Sequence, residues 1–549
     1  MNDSKRILVA ALASVVILFA WNELVMPKHR RPAAPPAASG GAPAAATAPA
    51  APSPLPPPAP AAPKPVEVVP PAAPEALAVL ETPEFRATFT SWGGALKELS
   101  LKEETYRKRG AGEKPDLPIN LVQVREGEAL PLAVVPSREL GGTGELGSDP
   151  SARAPMRIAA RDARSVTFEG RAGGVEVRKT VRVGEKPYEL DIELSIGALD
   201  RPGSVAVLYP AFMSPNAPKP GFFSGGEVFE TVTAICRAGD KTVRFDGKEA
   251  EKVLPGPARW AGLDQHYFVS ALMPSGVEAE CLFAKLGTPG ESLAALRIPV
   301  AQPVRAKLLL YAGPKQLDLL RSYGRDLDTA IDYGPVTNYL AFFARVLLWV
   351  MQRFYGVVRN WGAAIILLTV LVKLLLYPLT VKSMQSMQEM RKLQPEVEKL
   401  KAKFGDDKEK MNQAVMGLYQ QHKVNPLGGC LPLLLQMPIW LALYATLQTS
   451  VELYRQPFLW IKDLTAMDPI YVLPLAMGVS SFAMQKLSPQ PADNAQAKML
   501  LYFMPVFFTF IMLKLPAGLT LYILVNNLLS IAQQQWLMRK DAKATRATT

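Results

Sequence analysis

Five apolar segments in the C-terminal third of the chain constrain its fold more than any other feature. They cover about residues 361 to 380, 428 to 451, 469 to 486, 499 to 514 and 517 to 538. Segments of roughly 20 apolar residues are long enough to cross the hydrocarbon core of a bilayer as helices. Short Gly and Pro joints between them indicate closely packed neighbours. The sequence therefore predicts a helical membrane domain with five crossings.

A sixth apolar segment, residues 7 to 26, lies near the N-terminus and follows Lys5 and Arg6. A cleaved signal peptide has the same basic start and apolar centre, and it remains the alternative. Because no small-x-small cleavage site follows directly, we interpret the segment as an uncleaved transmembrane anchor. The prediction is thus six transmembrane helices in all.

The region between the anchor and the membrane domain changes character twice. Residues 27 to 77 are rich in Ala and Pro and cannot bury a core, which predicts a semi-extended linker. Within 78 to 330, Leu190, Ile192 and Leu194 alternate with polar residues. A period of two is typical of strands with one buried face. We predict a β-sandwich of roughly 250 residues for this region.

Two features of the chain could suggest ligand sites, but neither supports one. A glycine spacing typical of dinucleotide sites occurs at Gly142, Gly144 and Gly147. No helix pattern follows it, so we predict a loop. The three cysteines, Cys236, Cys281 and Cys430, show no metal-ligand spacing. We do not expect Cys236 and Cys281 to pair, because they would have to be neighbours in space, and we predict neither a metal nor a cofactor.

Residues 331 to 360 show helical spacing with two unlike faces. Leu347, Val350 and Phe354 share one face, and Arg345 and Gln352 lie on the other. This pattern predicts an amphipathic helix along the membrane surface. A span is the alternative, although it would place Arg345 near the bilayer centre at a cost of about 3 kcal/mol.

The charges of residues 381 to 425 predict the topology. This segment holds nine Lys/Arg and six acidic residues, and short basic loops stay in the cytoplasm. Residues 1 to 6 and the short basic tail at 541 to 549 are then cytoplasmic, and residues 27 to 360 lie outside. Since the positive charges flank apolar segments, we attribute the net charge of +12 to topology and do not expect nucleic-acid binding.

The same cytoplasmic segment carries two apolar stripes separated by Gly405, Asp406 and Asp407. The pattern predicts an antiparallel helical hairpin within the core domain, 361 to 540. Its stripes either only pack on each other or include an adaptable contact surface, which methionines suit. The candidate hairpin residues are Met387, Met390, Arg391, Lys392 and Met411.

Polar residues inside the apolar segments are the candidate functional groups, because each is costly in a bilayer unless it faces protein or water. Those in the first, second and last C-terminal segments are Lys373 and Thr369, then Gln436, Tyr444 and Gln448, then Tyr522, Asn526 and Ser530. The amides and hydroxyls are equally consistent with simple interhelical hydrogen bonds. Lys373 differs, since the five C-terminal apolar segments contain no carboxylate to pair with it. We therefore predict a hydrated cavity that carries positive charge.

The sequence gives little support for an enzyme. It has three histidines and no phosphate-binding loop, zinc-protease helix or nucleophile elbow. Two other functions remain open, namely a secondary transporter or channel that uses the same cavity, and a sugar-binding or epimerising β domain. The first lacks a visible internal repeat, and the second depends on His266 alone.

At several of these positions the chain resembles the YidC/Oxa/Alb insertase family. The runs that carry the resemblance are Met387 to Pro395, Lys423 to Pro432, Gln436 to Pro438 and Pro516 to Leu519. It is strong over about 331 to 540, and Trp260 to Pro274 extend it to the β domain. The resemblance implies a five-helix insertase core in the bacterial inner membrane and a periplasmic supersandwich of the galactose-mutarotase type.

The resemblance also implies a mechanism and partners. Its hydrophilic groove, open to cytoplasm and lipid, has a central arginine that corresponds here to Lys373, which keeps the charge but loses the guanidinium fork. A hydrophobic slide is implied at Met437, Trp440, Phe503 and Phe507. The implied partners are newly made membrane proteins, the lipid bilayer and the Sec translocon. The ribosome is a weaker candidate, because few residues follow Met538.

Overall fold

The computed structural model describes residues 74–108, 117–122, 128–211, 232–286, 291–333, 341–405, 407–422, 424, 431–487 and 495–548. Side chains are not described at 211, 387, 391, 401, 408, 412, 431–435, 495–502 and 540–548. The predicted anchor, nearly all of the predicted linker and Cys430 thus lie outside the described residues. Residues Glu75–Thr549 form one compact unit.

The first part of this unit is built from strands. They are β1 (Leu77–Glu81), β2 (Phe85–Thr90), β3 (Ala95–Leu101), β4 (Arg107–Lys108), β5 (Leu117–Pro118), β6 (Val134–Pro136), β7 (Met156–Arg161), β8 (Ser165–Ala172), β9 (Val175–Val183), β10 (Glu189–Ile196), β11 (Gly203–Ala211), β12 (Val232–Ala238), β13 (Lys241–Arg244), β14 (Glu251–Gln265), β15 (Phe268–Ser275), β16 (Glu280–Lys285), β17 (Ser292–Val300) and β18 (Val304–Pro314). Strands β1 to β3 form one small sheet and β4 pairs with β5. The others follow the order β6-β11-β17-β16-β14-β15-β18-β10-β9-β8-β7, with β12 on β14 and β13 on β12.

Strand β14 connects the two layers of this large sheet. Its first half pairs with β16, and its second half pairs with β12 and β15. The register shifts between Val253 and Pro257, and Gly256 lies there with φ +92°. Prolines remove ladder donors and glycine adopts positive φ at little cost, so the strand can bend at this point and enter both layers.

The alternating strand predicted at residues 190 to 196 is confirmed. Leu190, Ile192 and Leu194 are almost fully buried, and Ile192 pairs with Val181 on one side and Leu308 on the other. The predicted loop around Gly142 is also present, and only a short 3-10 helix, Pro150–Arg153, follows it. The domain is not purely β, because helix α1 (Leu317–Tyr323) and short 3-10 turns complete it.

The expectation that Cys236 and Cys281 stay apart is wrong. They form a disulfide between β12 and β16, with Cα atoms 6.3 Å apart. Both strands pair with β14, one at each half. The bend of β14 therefore brings together two cysteines that are 45 residues apart in the chain.

The second part of the unit is helical. Its helices are α2 (Ala341–Val358), α3 (Trp361–Lys392), α4 (Gln394–Phe404), α5 (Lys408–Gln421), α6 (Leu431–Thr449), α7 (Val472–Leu487), α8 (Ala495–Met512) and α9 (Ala517–Thr548). In the part of the chain that the structure describes, two segments, Ala341–Val358 and Trp361–Met390, are long and apolar enough to cross a bilayer. Helix α9 packs on α7 and α3, α8 packs on α7, and α6 packs on α2, α3 and α9.

Helix α3 extends beyond its predicted apolar segment, which ends at residue 380. The cytoplasmic loop was expected to begin at residue 381, but α3 continues to Lys392 without interruption. Pro378 lies inside α3, and the residues that follow it are good helix formers. The break at 405 to 407 is found where it was predicted, between α4 and α5.

Helix α2 is less amphipathic than expected. Its most buried residues are Ala344, Leu348 and Met351, whereas Phe343, which lies one turn before Leu347 on the predicted apolar face, is exposed. Phe342 and Trp349 are exposed as well, so apolar side chains surround most of the helix. Its interfacial placement stays a prediction.

The segment between α6 and α7 joins the helices to the β domain. Leu453 packs in the core of the helical bundle, and Tyr454 packs in the core of the β domain. The ring of Tyr454 lies 5.3 Å from that of Tyr267, and its hydroxyl donates to the carbonyl of Arg107 over 2.9 Å. Two consecutive residues, Leu453 and Tyr454, thus pack in the two different parts of the unit.

Candidate functional site

Lys373 connects two helices of the bundle. It lies half-buried on α3, and its Nζ donates to the Ser530 hydroxyl of α9 over 2.7 Å. The Ser530 hydroxyl in turn donates to the backbone carbonyl of Asn526 over 2.7 Å. The first and the last of the predicted C-terminal segments therefore meet at Lys373. Thr369, predicted for the same group, is fully buried and donates to the Ile365 carbonyl of its own helix.

A second polar contact lies between α6 and α9. The side-chain amide of Gln436 donates to the hydroxyl of Tyr522, which is almost fully buried. Trp440 and Tyr444 follow on α6 with stacked rings whose centroids are 6.3 Å apart, and Gln448 is half-buried. The structure thus brings predicted residues of α3 and α6 to the same helix, α9.

Asn526 differs from every other predicted amide of the site. Its side-chain Oδ1 is buried and, among the described residues, has no hydrogen-bond partner. A buried carbonyl oxygen without a donor costs free energy of roughly 1 to 3 kcal/mol. An acceptor that is retained at this cost is suited to a donor outside the chain, such as water or a substrate amide.

Two further polar contacts between the helices were not predicted from the sequence. Asn527, next to Asn526, donates to the hydroxyls of Ser480 and Ser481 on α7 over 3.1 and 2.9 Å. Gln533 donates to the hydroxyl of Thr380 on α3 over 2.9 Å. The doubled Asn was a signal for the first contact, because adjacent residues face different neighbours on a helix.

The four residues predicted to guide an apolar substrate fall into two pairs. Met437 is exposed and Trp440 half-buried on α6. Phe503 and Phe507 are exposed on α8, with stacked rings 5.5 Å apart. Helix α8 packs on α7, whereas α6 packs on α2, α3 and α9. The structure therefore places the two pairs on helices with different neighbours.

Helices α4 and α5 form the predicted hairpin, in which a buried apolar side chain and a contact between His422 and Glu396 lie between the two helices. Val397 is buried, and the imidazole of His422 lies 3.8 Å from the carboxylate of Glu396. Met390 and Met411 are half-buried and Lys392 is exposed. The side chains of Met387 and Arg391 lie outside those that the structure describes.

The β domain contains a buried ionic cluster beside His266. Asp264 accepts from Lys315 and from Arg244, the latter over 2.9 Å. Burial raises the pKa of Asp264, but the two cations lower it by more and hold it below its usual range. Burial lowers the pKa of His266 to about 4. A neutral, half-buried His266 near a carboxylate that is already paired with two cations gives no support to sugar epimerisation.

Together, a β domain joined to an apolar helical bundle with polar contacts between its helices defines a membrane protein with a large extramembrane domain. Residues 353–544 match the family described as 60Kd inner membrane protein, and residues 77–350 match the YidC periplasmic domain. The chain belongs to the YidC family of membrane protein insertases. It is an inner-membrane protein with a periplasmic domain.

Two relatives show how far the similarity extends. The chain is 62% identical to the membrane protein insertase YidC of Anaeromyxobacter sp. strain Fw109-5 over 460 residues, which is 83% of each chain. It is 59% identical to that of Anaeromyxobacter sp. strain K over 550 residues, which covers 99% of this chain and 98% of the relative. The family resemblance drawn from the sequence is confirmed, and so is its non-enzymatic character. Both relatives are insertases, so we set the transporter aside.

Two solved structures are similar at lower levels. A crystal structure of an active YidC insertase with its first transmembrane domain resolved is 20% identical, covers 83% of this chain and 91% of its own, and has a TM-score of 0.36. A galactose mutarotase related enzyme from Lactobacillus acidophilus is 8% identical, covers 43% of this chain and 97% of its own, and has a TM-score of 0.30. We draw no conclusion from either.

Proposed function

We propose that the chain inserts membrane proteins through a polar groove between α3, α6 and α9, centred on Lys373. The observation that carries the proposal is the partner of this amine. Within the described residues Lys373 Nζ contacts a hydroxyl, Ser530, and no carboxylate. An ammonium group in a bilayer protein is costly unless water or an anion reaches it. A groove that admits water and polar peptide satisfies that need.

Insertion then requires no chemical step. The polar tail of a substrate enters the groove, where Lys373, Gln436 and Asn526 offer a charge, a donor and a free acceptor. The apolar segment of the substrate meanwhile passes the exposed rings of Phe503 and Phe507 into lipid. Removal of its apolar surface from water drives the transfer. An acidic tail gains additional attraction from Lys373.

The proposed topology has six transmembrane helices, with both termini in the cytoplasm and residues 27 to 360 on the periplasmic side. The disulfide between Cys236 and Cys281 supports this side for the β domain, because such bonds persist in oxidising compartments. Helix α2 lies along the periplasmic surface in this arrangement. The supersandwich architecture is supported by β14, which takes part in both layers.

Partners beyond the substrate follow from the same arrangement. The exposed lysine and methionine side chains at the end of α3 and on α5, such as Lys392 and Met416, suit contact with a substrate or ribosome that arrives from the cytoplasm. We also propose that the Sec translocon associates with the chain. Neither partner is needed for insertion of a short-tailed substrate.

Charge substitutions at position 373 test the proposal. In proteoliposomes, Lys373→Arg keeps insertion of a single-span substrate with a short acidic tail, because the positive charge remains. Lys373→Glu impairs it, because the charge now repels the tail. Lys514→Glu is the matched control, since Lys514 is exposed at the end of α8, away from the groove. Equal insertion by the Arg and Glu variants would remove the charge from the mechanism.

A further inference from the structure

The segment between α6 and α7 exposes large apolar side chains although it lies outside both helices. Leu459 has 73% of its surface exposed and Ile470 has 57%. Trp460, Met467 and Tyr471 are also exposed. Soluble surfaces rarely carry such a group of apolar side chains without a partner. We call residues 457 to 471 the apolar loop.

The apolar loop is a built structure. The carboxylate of Asp468, itself only 1% exposed, accepts the indole N–H of Trp460 over 3.1 Å. It also accepts the backbone N–H groups of Ile470 and Leu473 over 3.2 and 2.7 Å. One buried acid therefore ties the tip of the loop to the first turn of α7.

The backbone of the loop holds these side chains outward. Leu459 has φ +54° and Tyr471 has φ +57°, in a region that non-glycine residues adopt only at a cost in free energy. Phe458 and Ile461 close the turn between them with paired backbone hydrogen bonds of 2.9 Å. The neighbouring Ile461 is buried, so the turn places Leu459 outward and Ile461 inward.

We infer that the apolar loop is seated in the interfacial layer of the periplasmic leaflet, with phospholipid as its partner. This inference rests on the proposed topology, in which α6 ends and α7 begins at the periplasmic surface. The exposed apolar surface continues from Ile470 into Leu475 and Val479 on α7, the face that α7 turns toward lipid. Continuity with that face selects lipid as the occupant.

The polar groups of the loop fit the same layer. Trp460 has its N–H satisfied by Asp468 and its ring partly exposed, and amphipathic rings concentrate at the membrane surface. Lys462 is exposed beside the tip, where its ammonium can meet a lipid phosphate. Because Tyr454 anchors the base of the loop in the β domain, the loop fixes the height of that domain above the bilayer.

Spin-label accessibility tests the inference on the full chain. In a Cys430→Ser background, a single cysteine replaces Leu459 or Ile470 and is labelled with a nitroxide. Each labelled protein is then reconstituted in liposomes of phosphatidylethanolamine and phosphatidylglycerol. Leu117, equally exposed on β5, serves as the aqueous reference. Val506, exposed on α8, serves as the bilayer reference.

The expected result is that collisions with oxygen rise and collisions with a nickel chelate fall at 459 and 470, relative to 117 and toward the values at 506. Values at 459 and 470 that equal those at 117, with 506 in lipid, overturn the inference and leave the proposed groove intact. Protection only after the Sec translocon is added overturns it in favour of a protein partner. An aqueous value at 506 would instead refute the membrane core itself.

Discussion

The two neighbouring asparagines of α9 allow a sharp separation of stability from function. Asn527 is buried and donates to both Ser480 and Ser481. Asn526 has a buried Oδ1 that lacks a partner among the described residues. We expect Asn527→Leu to destabilise the chain with little effect on insertion per folded molecule, and Asn526→Leu to do the opposite.

The magnitude for Asn527 follows from its two hydrogen bonds. Interhelical hydrogen bonds in membrane proteins contribute about 0.6 kcal/mol on average and at most about 1.7. Ser480 and Ser481 keep acceptors on their own helix after the change, at the carbonyl and sulfur of Met477. Neither hydroxyl is left unsatisfied, so the loss in the free energy of unfolding is roughly 1 to 2 kcal/mol.

For Asn526 the expected stability change is near zero or slightly favourable, because leucine removes an acceptor that costs free energy when buried alone. Insertion falls if that acceptor binds the substrate or its water. Unfolding equilibria in lipid bicelles and insertion in proteoliposomes measure the two quantities, with Leu528→Ala as an exposed control on the same helix. The reasoning is refuted if Asn526→Leu destabilises the chain and leaves insertion unchanged.

Two further predictions concern the β domain and its connection to the helices. Lys179, buried in β9, donates to the carbonyls of Gly93, Gly94 and Leu132 over 3.0, 2.9 and 2.5 Å. Lys179→Met should lower the free energy of unfolding of the β domain by about 3 kcal/mol or more, because three buried carbonyls lose their donor. Faster hydrogen exchange across residues 77 to 101 would show this loss. Burial raises the pKa of Glu452 from 4.5 to about 7. Between these pH values the folded protein keeps a proton on Glu452 that the unfolded protein loses, so stability falls as the pH rises from 4.5 to 7. The Glu452→Gln variant should therefore be as stable as the parent at pH 4.5 and more stable than the parent at pH 8, by at most about 3 kcal/mol. If variant and parent have the same unfolding free energy at both pH values, the raised pKa of Glu452 is refuted.

Local patterns predicted the elements that local interactions determine. The alternation at Leu190 to Leu194 identified a strand, because burial of one face imposes a period of two. The break at 405 to 407 was visible because glycine and aspartate interrupt a helical stripe. The family resemblance supplied the prediction of a membrane core and of a functional role for Lys373, and the polarity of the apolar segments indicated the same role.

Features that depend on long-range packing were missed. The Cys236–Cys281 pair exists because β14 bends between two layers, and nothing in the spacing of the cysteines encodes that bend. Asn527 was overlooked because its role depends on the rotation of α9 against α7. Thr369 was assigned to the cavity from its spacing to Lys373; it is fully buried and bonded to its own helix, so that assignment stays a prediction. The residues that position the proposed site are thus harder to predict from the sequence than the residue that carries its charge.

Crosslinking of a substrate in transit tests the groove most directly. In a Cys430→Ser background, single cysteines are placed at Gln436, Tyr444, Asn526 and, as a control, at Leu528, which is exposed on the outer side of α9. A nascent single-span protein with a cysteine in its short polar tail is then offered in proteoliposomes. The groove predicts adducts at 436, 444 and 526 and few at 528. Insertion that proceeds with equal adducts at all four positions, or with none at the first three, would contradict it.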